Sequence, residues 1–239
     1  MTGEPMQPDT EWILSTLAEL YPNPRTALHF ETPFQLLIAT MLSAQCTDKR
    51  VNIITQRLFP RLGGPEDFLK LPQEALEDLI RDCGLYREKA RNIRETCRLL
   101  LERHGGEVPA RFEDLVRLPG VGRKTANVVL ANAFGIPALA VDTHVFRVAN
   151  RLGLARGRTP EEVERQLTAR IPRDRWIPAH HWLIYHGRNV CHARSPRCEA
   201  CPLRPECAHA RAQAAGTGPA AWAGERVAGG SGAGARERT

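Results

Sequence analysis

Residues 111 to 135, RFEDLVRLPGVGRKTANVVLANAFG, leave the backbone little choice. Phe112, Leu115 and Leu118 recur at every third position, which suits a short amphipathic helix. Pro119 must end that helix, because proline has no amide proton and crowds the turn before it. Gly120 and Gly122 permit positive φ and leave the backbone uncovered. An apolar face of Val129, Leu130, Ala133 and Phe134 then resumes and runs to Gly135. The stretch therefore predicts a helix, a tight glycine hairpin and a second helix.

Amide groups exposed at such a turn, together with the positive end of the following helix dipole, suit one phosphate gripped without regard to base sequence. A helix connection that binds nothing fits the same residues equally well. A nucleotide-binding P-loop does not: it requires glycine directly before the lysine and a strand before the turn, whereas Arg123 precedes Lys124 and a helical pattern precedes the hairpin.

Helical periodicity dominates elsewhere, and the fold class expected is mainly α. Helices are predicted over 12–21, after the possible caps Asp9 and Thr10, and over 33–45, where apolar residues on nearly every side mark a central, buried element. Asp48 is placed to cap the next, with Val51, Ile54 and Leu58 on one face and Pro60 as its stop. Further helices are expected over 74–82, 87–103, 160–169 and 178–186. Residues 1–10 are expected to be a flexible N-terminus, and residues 208–239, rich in alanine and glycine, a disordered tail.

The net charge of +6 favours a polyanionic partner. Of 33 basic residues only Lys49, Lys70, Lys89 and Lys124 are lysine. Arginine cannot shed its proton in a protein and an amine can, so a lysine beside a glycine turn hints at chemistry. The polar start MTGEPMQPDT is no signal peptide, and no apolar run approaches the length of a membrane span. A cytoplasmic monomer is expected, associated with the nucleoid if the source is bacterial.

Cys46, Cys83 and Cys97 are scattered, while Cys191, Cys198, Cys201 and Cys207 crowd into CHARSPRCEACPLRPEC. An odd cysteine count without a secretion signal argues against a disulfide framework, and the cluster of four reads as a metal site. By chemistry alone zinc and a [4Fe–4S] cluster fit equally, since one continuous loop must wrap the centre. Arg194, Arg197 and Arg204 lie between the thiols, either to hold DNA phosphates or to balance thiolate charge. Asp142, before a helical face of Val145, Phe146, Ala149 and Leu152, reads as an N-cap. A carboxylate held that rigidly can also stabilise developing positive charge or take a proton.

LPGVGRKTANVVL closely resembles the helix-hairpin-helix element of the endonuclease III family of DNA repair glycosylases. VDTHVFRVANR resembles that family's catalytic-aspartate segment, LLIATMLSAQCTD its early helix, and the spacing C-x6-C-x2-C-x5-C its iron–sulfur loop. The likeness covers about residues 11 to 208. It implies a two-lobed helix-hairpin-helix DNA glycosylase fold with a C-terminal [4Fe–4S] loop. One lobe spans 30–137 and includes the hairpin element 111–134; the other joins 11–29 to 138–207, with the cluster loop at 191–207.

The resemblance also implies roles. Lys124 would attack the sugar C1′ of a damaged nucleoside and form a Schiff base, with Asp142 as the second catalytic residue. Gly120, Val121, Gly122 and Arg123 would hold a DNA phosphate. Gln45 and Leu85 would wedge into the duplex as the nucleotide leaves the stack, although Gln45 as a helix end and Leu85 as a turn anchor are ready structural readings. Cys191, Cys198, Cys201 and Cys207 would ligate a [4Fe–4S] cluster. The partner implied is duplex DNA carrying damaged pyrimidines or abasic sites, and the activity that of a bifunctional glycosylase and abasic-site lyase. The adenine-mismatch branch fits poorly, because residues 33–47 hold no carboxylate and that branch lacks the hairpin lysine. The reading from another class is a non-catalytic DNA-binding module with iron–sulfur or zinc, in which Lys124 only contacts phosphate.

Overall fold

The computed structural model describes residues 7–216, and these are helical without a strand. In chain order the α-helices are α1 (Thr10–Leu20), α2 (Pro33–Leu42), α3 (Asp48–Leu58), α4 (Pro65–Lys70), α5 (Gln73–Leu79), α6 (Tyr86–His104), α7 (Phe112–Leu115), α8 (Arg123–Phe134), α9 (Thr143–Leu152), α10 (Pro160–Arg170), α11 (Trp176–Asn189) and α12 (Ala208–Ala214). No helix among the described residues is long and apolar enough to cross a membrane.

Local chemistry sets the boundaries. Asp9, Thr32, Thr47 and Thr159 each accept a bond from an amide in the first turn of the helix that follows. Gly105, Gly135 and Gly153, all at positive φ, close α6, α8 and α9. The cap of α3 is thus Thr47 rather than Asp48, which opens the helix instead and suits the dipole there. The helix predicted over 33–45 stops at Leu42, because the chain turns into a left-handed conformation at Gln45 (φ 53°).

Buried apolar side chains fall into two clusters. The first runs from Leu28 to Ala138 and centres on α2, which is buried on nearly every side and packs against α8, α3 and α6. The second gathers Ile13, Leu14 and Leu17 of α1 with residues 139 to 203, where α11 packs against both α9 and α1. At the α9–α11 crossing a methyl group on Gly187 would stand 3.1 Å from both His144 and Arg147.

At both ends of the described residues a segment departs from expectation. Asp9 caps α1 and its amide donates to Glu206, and the Pro8 carbonyl accepts from Arg170, so residues 7–10 are packed rather than loose. Ala208–Ala214 forms α12 against α9, with His209 buried. Alanine, read as low complexity, is also the best helix former, and a packing surface was enough to decide between the two. Residues 1–6 and the rest of the expected tail, 217–239, lie outside the described residues.

Candidate active site

Two helix starts open onto one cavity of about 520 Å³, measured out to its open mouth, which Lys124 and Asp142 both line. Lys124 is the second residue of α8 and is exposed. The N-cap of α8 is Gly122, which brings no side-chain acceptor to the first-turn amides. Of the two hairpin glycines only Gly120 uses positive φ (75°); Gly122 is extended at φ −88°. Gly122 does not use the positive φ that glycine permits. What Gly122 provides is room, since no atom lies within 4 Å of where a Cβ would stand.

Asp142 caps α9. Its Oδ1 accepts from the amides of His144 at 2.9 Å and Val145 at 2.8 Å, which fixes the carboxylate on the helix axis. The segment leading into it is held from two sides: Asn127 of α8 donates to the Leu139 carbonyl, and His180 Nδ1 lies 2.8 Å from the Ala140 carbonyl. A carbonyl only accepts, so Nδ1 of His180 carries the proton. Beside it, His181 Nε2 lies 2.8 Å from Asn132 Oδ1 on α8. The two rings meet edge-on at 4.7 Å.

Burial keeps both imidazoles neutral. It pushes His180 down, opposed by the negative charge of Asp142, and takes His181 down to about 3, helped by the neighbouring His180. Their polar hydrogens therefore remain committed to Ala140 and Asn132. At the cavity rim Arg188 of α11 donates to Asp48 of α3 at 2.7 Å, which joins the two clusters of the fold. His180, His181 and Arg188 escaped the sequence reading, and Asp48 entered it only as a helix cap. Only the adjacent histidines of HHWLIYHG offered a signal, and they look like any buried pair.

Arg123 does not project freely from the hairpin. Its guanidinium makes paired bonds of 2.8 and 2.7 Å to Glu164 of α10 and stacks 4.9 Å from the Phe112 ring centroid. Val121 is buried beneath the turn. Gln45 and Leu85 lie apart from the cavity lining, yet they share a property: among the described residues they alone are non-glycine residues at positive φ, 53° and 59°. A left-handed leucine is strained, and at 55 % exposure nothing buries it in return. The two turns abut, for a Cβ on Gly84 would stand 3.6 Å from the Gln45 carbonyl oxygen.

Cys191, Cys198, Cys201 and Cys207 line a second, almost wholly apolar cavity with Arg151, His186 and Leu152. None of the seven cysteines forms a disulfide. Burial, with the charges of the other three thiols adding to it, pushes Cys201 up to about 11. Burial likewise raises Cys207. Four thiols around an apolar hollow form a sulfur donor set that fits a thiolate-bound metal centre, whose positive charge would offset the cost of burying the thiolates. Among the described residues no three or more His, Cys, Asp or Glu side chains converge tightly enough to hold a single metal ion. The loop is fixed from α9: Arg147 donates to the carbonyls of Cys191 and Gly187, and Arg151 to those of His192 and Ala193. Arg194, Arg197 and Arg204 are exposed, Arg204 in an ion pair with Glu199.

A family model described as HhH-GPD superfamily base excision DNA repair protein matches residues 38–173. Endonuclease III of Bacillus subtilis is 48% identical over 198 residues, 82% of this chain and 90% of that protein. Endonuclease III of Escherichia coli is 51% identical over 195 residues, 82% of this chain and 92% of that protein. A solved structure of a trapped endonuclease III–DNA covalent intermediate, in an estranged-adenine complex, superposes with a TM-score of 0.82 at 47% identity, covering 85% of this chain and 96% of that one. With its helical architecture and its two helix starts around one cavity, the chain belongs to the endonuclease III family within the HhH-GPD superfamily of base excision DNA repair proteins.

Proposed function

We propose that this chain is a bifunctional DNA glycosylase and abasic-site lyase of base excision repair, acting on oxidised pyrimidines in duplex DNA. The observation that carries the reading is the shared cavity of Lys124 and Asp142, a primary amine and a rigid carboxylate at two helix starts. Lys124 Nζ attacks C1′, and the base departs with the electron pair of the glycosidic bond. The sugar ring then opens: the C1′–O4′ bond breaks, O4′ takes up a proton, and the nitrogen lone pair forms the Schiff base. That positive nitrogen acidifies the C2′ hydrogen, and β-elimination expels the 3′ phosphate. Asp142 stabilises the positive charge that builds on the sugar or takes the proton from the attacking amine.

The hairpin at Gly120 to Gly122, with its Val121 amide already bonded to the Leu118 carbonyl, leads into the uncapped start of α8, whose first-turn amides hold a backbone phosphate. Arg123, committed to Glu164, braces the hairpin and adds positive potential. Gln45 and Leu85, exposed and left-handed, fill the gap that the extruded nucleotide leaves. Cys191, Cys198, Cys201 and Cys207 hold a [4Fe–4S] cluster, whose bonds cross-link the loop that presents Arg194, Arg197 and Arg204 to phosphate. With DNA as substrate, the protein works in the cytoplasm, at the nucleoid in a bacterial cell.

Borohydride trapping tests the reading. Incubation with abasic-site DNA followed by reduction should give a covalent adduct that Lys124→Gln abolishes. No adduct in wild type would return the chain to the class of non-catalytic DNA-binding modules, and full yield in the variant would sink the assignment of Lys124 as the nucleophile. For the cluster, iron and sulfide analysis of the coloured protein is the check, and a colourless protein with stoichiometric zinc would reverse the assignment.

A further inference from the structure

Lys89 stands out as a buried cation, 6 % exposed, that no carboxylate pairs among the described residues. Its three N–H bonds are all used: Nζ donates to the carbonyls of Leu42 at 2.8 Å and Ala44 at 2.6 Å, and to Cys83 Sγ at 3.1 Å. Cys83 in turn donates its thiol hydrogen to the same Leu42 carbonyl at 3.0 Å. Burial raises the thiol, against the opposing effect of Lys89, so the hydrogen stays in place to be donated.

These partners belong to two different turns. Leu42 and Ala44 lie just before Gln45, and Cys83 lies two residues before Leu85. Lys89 itself sits in the first turn of α6, where its amide bonds to the Leu85 carbonyl at 3.0 Å. One side chain therefore ties together the two backbone segments that carry the left-handed residues. Burying an unpaired cation is costly, and an apolar residue of similar length would fill the space without that cost. What only the amine supplies is three directed bonds across the junction.

We propose that Lys89 is a positioning residue for base extrusion, setting the spacing of Gln45 and Leu85 so that both wedges enter the duplex together. The proposal rests on the wedge reading of those two residues given above. It assigns Lys89 no contact with DNA and no part in the chemistry at Lys124.

The test separates extrusion from chemistry. Duplex DNA with a non-cleavable tetrahydrofuran abasic analogue beside 2-aminopurine reports unstacking as a rise in fluorescence when the protein binds. Lys89→Met should lose most of that rise while its helical circular dichroism persists. Its borohydride trapping should fall about tenfold on duplex abasic DNA and stay at the wild-type level on single-stranded abasic DNA, where no stack needs wedging. Should the methionine variant fail to fold, Lys89→Gln, which keeps a shorter donor group, carries the same comparison with a smaller expected loss. Equal trapping losses on duplex and single strand, or a full fluorescence rise, would overturn the assignment. Leu85→Ala distinguishes the two levels of failure: an unchanged rise there fells the wedge reading and Lys89 with it, whereas a lost rise there and a full one in Lys89→Met fells Lys89 alone.

Discussion

The starts of α8 and α9 are the same kind of structure put to opposite uses. Each leaves the orphan amides of a helix N-terminus beside the same cavity. At α9 the chain satisfies its own amides, since Asp142 accepts from two of them and is immobilised in doing so. At α8 Gly122 offers them nothing, and they remain available to an outside anion. The difference teaches that capping here is a means of placement: at α9 the cap fixes a carboxylate, and at α8 its absence leaves room for the phosphate proposed above. Behind both, His180 steadies the approach to α9 and His181 the body of α8.

The sharpest way to break this contrast is Asp142→Asn. Asparagine caps about as well as aspartate, so the melting temperature should hardly move. The charge is gone, however, and single-turnover strand cleavage should fall roughly a hundred- to a thousandfold. Retained cleavage would mean that Asp142 is a cap and nothing more. Acid should undo the shared buttress next. Folded His181 resists protonation down to about 3, whereas the unfolded chain takes that proton below its ordinary value near 6.5. The unfolded state thus binds more protons in that window, so stability is complete above pH 6.5 and is lost as pH falls towards 3, by about 1.4 kcal/mol per pH unit for one proton. Urea unfolding across that range should show a shallower slope in His181→Asn; equal slopes would remove the histidine from the account.

Smaller effects should separate the two hairpin glycines. Gly120→Ala forces a side chain to φ 75° and brings its Cβ within 3.1 Å of Asn92 and 3.2 Å of Met41, so chemical denaturation should record a loss of about 1–3 kcal/mol. Gly122→Ala meets no atom and an ordinary φ, so stability should stay within about 0.5 kcal/mol. Its methyl group stands at the open amides instead, and binding to a non-cleavable abasic duplex should weaken a few-fold. Unchanged binding would show that the uncapped end receives no phosphate.

Legibility in the sequence followed the range of the forces involved. Asp142, the turn at Pro119–Gly120 and most helix spans were readable because caps, proline stops and apolar spacing act within a few residues. The left-handed backbone at Gln45 and Leu85 was not, for nothing in LSAQC or GLY demands φ above zero, and the Lys89 bonds that join the two turns reach back more than 40 positions to Leu42 and Ala44. The clasp of Arg123 on Glu164 and the histidine buttress were hidden for the same reason, since each joins residues some 40 positions apart or more. Helix α12 was missed because its composition is equally that of a solvated tail, and only the surface of α9 selects the helix.

One feature of the cores bears on how the protein is made. The apolar face of α1, Ile13, Leu14 and Leu17, is synthesised first but is covered only by residues from Leu139 onward. At about 5–20 residues per second, roughly 6 to 25 s of translation separate Leu17 from Leu139, and the residues of the first core are added in that interval. The N-terminal helix therefore waits on the ribosome, apolar side uncovered, while the middle of the chain is made. The cysteine loop emerges later still, so the lobe that holds Asp142 is the last to be finished, and newly made chains pass through a stage with Lys124 made and Asp142 not yet fixed.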